Sequence, residues 1–237
     1  MAVLVSIITI PLGCLLGGLA MNLTPHKLTV GEILVNLIPV TIVALLVALG
    51  LILRPKQVLS GFCAIGNAMQ VILVAGIVIS AVQALTGLRL PLFRLMVEPS
   101  VPGGNSPLTE SLIIVGNIAL ILAGAFPMVL WISRVFRKPI AALSRLLGMD
   151  EHGGAALIAS LASVFPALDL VPKMNSRTRL LILSFLICGS FVFGDHLGFT
   201  AGVDQNMILP MIVAKLTAGV SAMLLAGILA PRLLKDE

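Results

Sequence analysis

The sequence predicts an all-α fold, a polytopic bundle of transmembrane helices, on three observations. Hydrophobic residues fill 59% of the 237 positions and charged ones 11%, beyond the apolar share and under half the charged share of an ordinary soluble domain. Apolar runs of about 20 residues, the length that crosses a hydrocarbon core roughly 30 Å thick, recur along the whole chain. The polar stretches between them, such as NLTPHK at 22–27 and PKMNSRTR at 172–179, are too short to link separate domains, so 1–237 reads as a single transmembrane domain.

Seven hydrophobic segments are expected to be helical, because an unbroken apolar run in lipid satisfies its backbone groups only as a helix. The first, 2–21, has no Lys or Arg before Lys27. It therefore reads as a retained span rather than a signal peptide. Its Gly13 and Gly17 form a GxxxG pair suited to close helix packing. Segments 33–53 and 61–85 carry amides, Asn36 and Gln83 standing alone and Asn67 with Gln70 sharing one face, expected to form interhelical hydrogen bonds. Glu110 opens the fourth, 109–133, where the positive end of the helix dipole favours an acid. The remaining three are 153–171, 180–197 and 206–230.

Segment 153–171 is unlike the rest. GGAALIASLASVFPALDLV is rich in small residues and holds Ser160, Ser163, Pro166 and Asp169. If all seven segments cross, the loop cations divide six against eight; if this one returns to the side it entered, they divide eleven against three, with only Lys27, Arg89 and Arg94 on the far side. The positive-inside rule favours the second arrangement. One re-entrant segment, six crossings and a cytoplasmic C-terminus are therefore expected. Re-entrant backbone survives at membrane depth only inside protein or beside a watery cavity, which marks the segment as part of a solute path.

Several function classes find no support. The net charge of +5 comes from cations scattered singly or in threes, not from a basic stripe, so no nucleic-acid partner is expected. Cys14, Cys63 and Cys188 are widely spaced in apolar segments and suggest neither disulfides nor a metal site. No phosphate-binding loop, zinc-protease or serine-hydrolase motif occurs, and neither a cofactor nor catalysis is expected.

Polar residues at membrane depth are the remaining signal. In a continuous helix from residue 180, Asp195 lies about 22 Å above the cytoplasmic end, and Lys215 lies about 24 Å from Pro231 by the same rise of 1.5 Å per residue. The two charges thus reach equal depth on neighbouring segments and are expected to pair, since a lone charge there is costly. Beside them, Gly194, Gly198 and Gly202 recur every fourth residue, giving a smooth packing face or an unwound stretch.

Five stretches together carry a resemblance: IPLGC at 10–14, LIPVTIVALLVALGL at 37–51, GAFPMVLW at 124–131, FGDHLGFTAG at 193–202 and LPMIVAKLTAGV at 209–220. They resemble the ethanolamine utilisation permease family of bacteria, nearly end to end. Members of that family are longer, and this sequence is similar to their C-terminal part. The resemblance implies a transporter-like domain in the bacterial inner membrane that takes up ethanolamine by facilitated diffusion or ion coupling. On that basis Asp195 is expected to attract the ammonium, with Lys215 as its resting partner. His196 and Thr200 would hydrogen-bond nearby, and Asp169 with Ser163 would line the re-entrant side. One Trp, no Tyr and nine Phe stock an aromatic cage poorly, which favours a primary over a quaternary ammonium. The expected partners are the amine and the lipid bilayer, with homo-oligomerisation left open. The rival readings are a noncatalytic membrane subunit of a larger transport complex and, less favoured, a membrane-embedded enzyme.

Overall fold

The computed structural model describes residues 1–135 and 137–233, and among these it contains eleven α-helices and no strand. In order they are α1 Ala2–Ala20, α2 Val30–Leu53, α3 Pro55–Thr86, α4 Arg94–Val97, α5 Pro107–Val135, α6 Arg137–Leu146, α7 Glu151–Ala162, α8 Val164–Leu170, α9 Ser176–Gly189, α10 Asp195–Val203 and α11 Ile208–Leu233. Five stretches have the length and hydropathy to cross a membrane: Ala2–Leu23, Val30–Leu53, Pro55–Thr86, Pro107–Gly124 and Gln205–Arg232. The chain is a helical membrane bundle. Lys235, counted above with the cytoplasmic cations, lies outside the described residues.

The described residues pack as two units. The smaller, Gly50–Asn117, is built on α3, which a left-handed Gly87 (φ 73°) caps. Gln83 is buried there, accepting from the Leu90 N–H at 2.9 Å and donating to the Phe93 carbonyl at 3.2 Å. It closes the loop after α3 rather than joining two long helices.

The larger unit combines Met1–Leu49 with the residues from Ile118 onward. Its centre is a sandwich of α1, α9 and α11. Gly13 and Gly17 of α1 lie against Ala214, Ala218 and the Pro210 carbonyl of α11, so the GxxxG pair packs helices as expected. Buried hydroxyls stitch the same helices: Thr9 donates to the Ala218 carbonyl at 3.1 Å and Ser6 to the Ser184 carbonyl at 2.9 Å. Such bonds satisfy polar groups that lipid would leave unpaired. At its start, α2 is closed by a capping box in which Thr29 Oγ1 accepts from the Glu32 N–H and Glu32 accepts from the Thr29 N–H at 2.8 Å.

Two side-chain clamps fix which helix ends lie together. Asp150 accepts from the N–H of His152 at 3.1 Å, capping α7, and from that of Asn175 at 2.8 Å, while the Asp150 N–H donates to Thr178 at 2.8 Å. The start of α7 and the start of α9 therefore meet. On the α1–α2 connection, Nε2 of His26 lies 2.8 Å from Asp204, at the end of α10.

The Asn206 N–H above all, and then His26, hold the Asp204 carboxyl below its ordinary range. A carboxyl lowered in this way stabilises the fold above its unfolded pKa, about 3.9 for Asp. That contribution fades only as the pH falls through its lower folded value. Hydrogen exchange of residues 22–28, corrected for intrinsic rates, is expected to be flat from pH 7 to about 5 and to rise below about 4. A rise confined to the neutral range would contradict this.

Candidate functional site

Two of the seven segments are not continuous helices. Segment 153–171 stops at Ser163, whose backbone is extended (φ −152°, ψ 138°), and resumes as α8. The 12 residues of α7 extend about 18 Å, well short of a hydrocarbon core. Because Asp150 and Asn175 hydrogen-bond to each other, this segment is a hairpin whose ends coincide. Its tip is the stretch around Ser160–Ser163.

The second interruption corrects the sequence reading. Segment 180–197 was expected to be one helix, but α9 ends at Gly189 and the chain turns through 190–194 before α10 begins. Phe191 carries the unusual backbone angle for a non-glycine residue, φ 60°. The reason lies in the hairpin tip. The Phe191 N–H donates to the Ser160 carbonyl and the Phe193 N–H to the Leu161 carbonyl, both at 2.8 Å. These two bonds, unavailable to a continuous helix, occupy carbonyls near the end of α7 that have no helical donor. The glycine at 194 permits the approach, because the Ala162 carbonyl occupies the place where its Cβ would be.

The site is thus a crossing of two broken helices, sewn together through backbone. Both breaks lie 12 to 14 residues from the clamp at Asp150 and Asn175, or about 18–21 Å along the helices. Around it stand Phe165, just beyond the hairpin tip, then Phe191, then His196. Phe165 and Phe191 meet edge to face at 6.3 Å between centroids, and Phe191 and His196 at 5.8 Å. Sequence reasoning missed this aromatic run, since 165, 191 and 196 share no periodic signal.

The six proposed residues fall in five places. Ser163 is the hairpin break itself, and Asp195 and His196 form the exposed first turn of α10. Asp169 is exposed near the end of α8, past the tip. Thr200 lies one turn along α10 and lines a cavity of about 430 Å³ with Cys14, Asn36, Met207 and Pro210. Lys215 is half-buried in α11. The expected Asp195–Lys215 ion pair does not form among the described residues. The break at 190–194 removes the continuous helix on which equal depth was reckoned. No cluster of His, Cys, Asp or Glu suited to a metal occurs among the described residues.

Such an arrangement brings one carboxylate and two phenylalanine rings beside interrupted backbone, which lipid alone would not tolerate. No solved structure matches the chain. It is 42% identical over 99% of its length to the "Probable ethanolamine permease EutH" of Listeria monocytogenes. To the protein of the same name in Escherichia coli it is 36% identical over 98% of its length, and to the "Uncharacterized protein YxeR" of Bacillus subtilis 33% identical over 97%. It spans about 59% of the length of the first two relatives. The family model "Ethanolamine utilisation protein, EutH" matches residues 1–229, and the chain belongs to that family.

Proposed function

We propose that this chain moves ethanolamine, or a similar small primary amine, across the bacterial inner membrane, as a permease and not as an enzyme. The observation that carries the reading is the crossing: a hairpin tip hydrogen-bonded to a broken helix at 2.8 Å, with Asp195 opening the helix that follows. Broken helices at membrane depth expose carbonyls to a bound cation, and an acid at that depth is accounted for when it faces such a cation. The names borne by the relatives point to the same substrate.

Asp195 attracts the ammonium, Ser163 lines the hairpin side, and His196 and Thr200 lead away along α10. Asp169 lies farther off and serves the path rather than the centre. The clamp between Asp150 and Asn175 supports a hairpin that enters and leaves on one face, the arrangement that also gathers the loop cations on the cytoplasmic side with the C-terminus. His26 with Asp204 then marks the opposite face.

The test is uptake of labelled ethanolamine by vesicles holding the full chain. Asp195→Asn keeps the size of the side chain and removes its charge. It is expected to lower uptake at least tenfold at equal membrane content, the factor that a loss of about 1.4 kcal/mol in binding represents. Undiminished uptake would remove Asp195 from the centre.

A further inference from the structure

Lys215 stands in the middle of an apolar helix, VAKLTAG, where a charge is expensive. Its place can be fixed from its neighbours. One turn further along α11, Gly219 lies so close to α9 that an added Cβ would be 2.9 Å from the Gly189 Cα and 3.0 Å from the Phe185 ring. Residues four apart share a helix face, so Lys215 is on this same face. The two helices are antiparallel: Met223, Ala226 and Ala230, which follow Gly219 on α11, share one buried core with Leu181, Ile182 and Phe185, which precede Gly189 on α9. Lys215 is therefore displaced from Gly189 by about 6 Å, toward the turn at 190–194.

That position is the carbonyl end of α9. The last carbonyls of a helix lack internal donors and carry the negative end of its dipole, which favours a cation. Lys215 makes no ion pair among the described residues, and this end is the negative feature of the fold toward which it is displaced. The titratable groups facing it are few. Cys188 lies on α9 and Cys14 on α1, while Asp195 and His196 open α10; the charge of Lys215 interacts with Cys188 and His196.

We propose that the Lys215 ammonium and the ammonium of a bound primary amine exclude one another at this crossing, so that each amine cation bound displaces one proton from Lys215. The inference rests on the amine-permease reading and adds its coupling. The step balances: the amine arrives as its ammonium ion, the Lys215 N–H bond breaks, the proton leaves to water, and the site keeps a single positive charge. Two ammonium ions in one poorly solvated site repel more strongly than they would in water. The protein's own lysine can yield, because a lysine in apolar surroundings releases its proton readily. Alternation of the two charges makes transport an exchange of amine for proton and leaves no place for a coupling metal cation.

Titration calorimetry on the purified full chain, with ethanolamine hydrochloride at pH 7 in phosphate and in imidazole buffer, counts the protons released. About one proton per amine is expected for the wild type, and none for Lys215→Met with amine still bound. Should Lys215→Met fail to fold, Lys215→Arg retains the charge but cannot surrender it, and is expected to bind the amine at least tenfold more weakly. Binding by the wild type without proton release, unchanged release from Lys215→Met, or wild-type affinity in Lys215→Arg would each overturn the exchange and leave the permease reading standing. No ethanolamine binding by the wild type would overturn that reading, and the exchange with it.

Discussion

Replacing Gly194 with Ala is expected to abolish amine uptake and to lower the thermal midpoint of the purified protein by about 5 °C or more. The methyl group would fall on the carbonyl oxygen of Ala162 and lie 2.9 Å from its carbon. Neither atom belongs to a flexible side chain, so the backbone of one broken helix must retreat. Overpacking a tight site ordinarily costs about 1–3 kcal/mol, and each kcal/mol lowers the midpoint of a chain this long by about 2–4 °C. The functional loss is the more specific one. Retreat of the Gly194 backbone pulls Phe191 and Phe193 from the Ser160 and Leu161 carbonyls, and the crossing opens. Gly227→Ala is the control: a Cβ at 227 meets nothing within 4 Å, and its midpoint is expected to move by less than about 1 °C. Equal behaviour of the two variants would show that the crossing is not tightly built.

The second large effect lies at the α1–α11 seam. A Cβ on Gly13 would come 2.5 Å from the Ala214 carbonyl and 2.6 Å from the Ala218 Cβ, and one on Gly17 2.6 Å from the Ala214 Cβ. Gly13→Ala and Gly17→Ala are each expected to destabilise by about 2 kcal/mol. Because both press on Ala214, they are coupled, and the double variant is expected to fall short of the sum. Once the first methyl has pushed α11 outward, the second finds room. Denaturation midpoints of the four proteins in one detergent check this, and strict additivity would show that the two glycines do not share a contact.

Much of this architecture is written locally in the chain. The five stretches long and apolar enough to cross are plain apolar runs, and 153–171, which the structure breaks at Ser163, already differs from them in its small residues. What the sequence conceals is nonlocal. FVFGDHLGF looks as helical as its neighbours, and its glycines mark only where a helix is able to give way. That it does give way is decided by two carbonyls some 30 positions earlier, at Ser160 and Leu161. The same turn explains why Asp195 and Lys215, matched in depth on an unbroken helix, do not pair, and why Thr200 faces a cavity apart from its expected companions. The capping Asp150 was equally hidden, because an acid before a helix is common and only the fold brings Asn175 and Thr178 to it.

If the amine binds where the hairpin tip meets the second break, it will shield that place from reagents in water, which cysteine protection detects. With Cys14, Cys63 and Cys188 replaced by Ala, a single cysteine introduced by Ser163→Cys can be labelled with a water-soluble thiosulfonate in the presence and absence of ethanolamine. Saturating ethanolamine is expected to slow labelling at 163 several-fold while leaving a cysteine introduced by Thr109→Cys, in the smaller unit, unaffected. Labelling at 163 that proceeds at the same rate with and without the amine would contradict it.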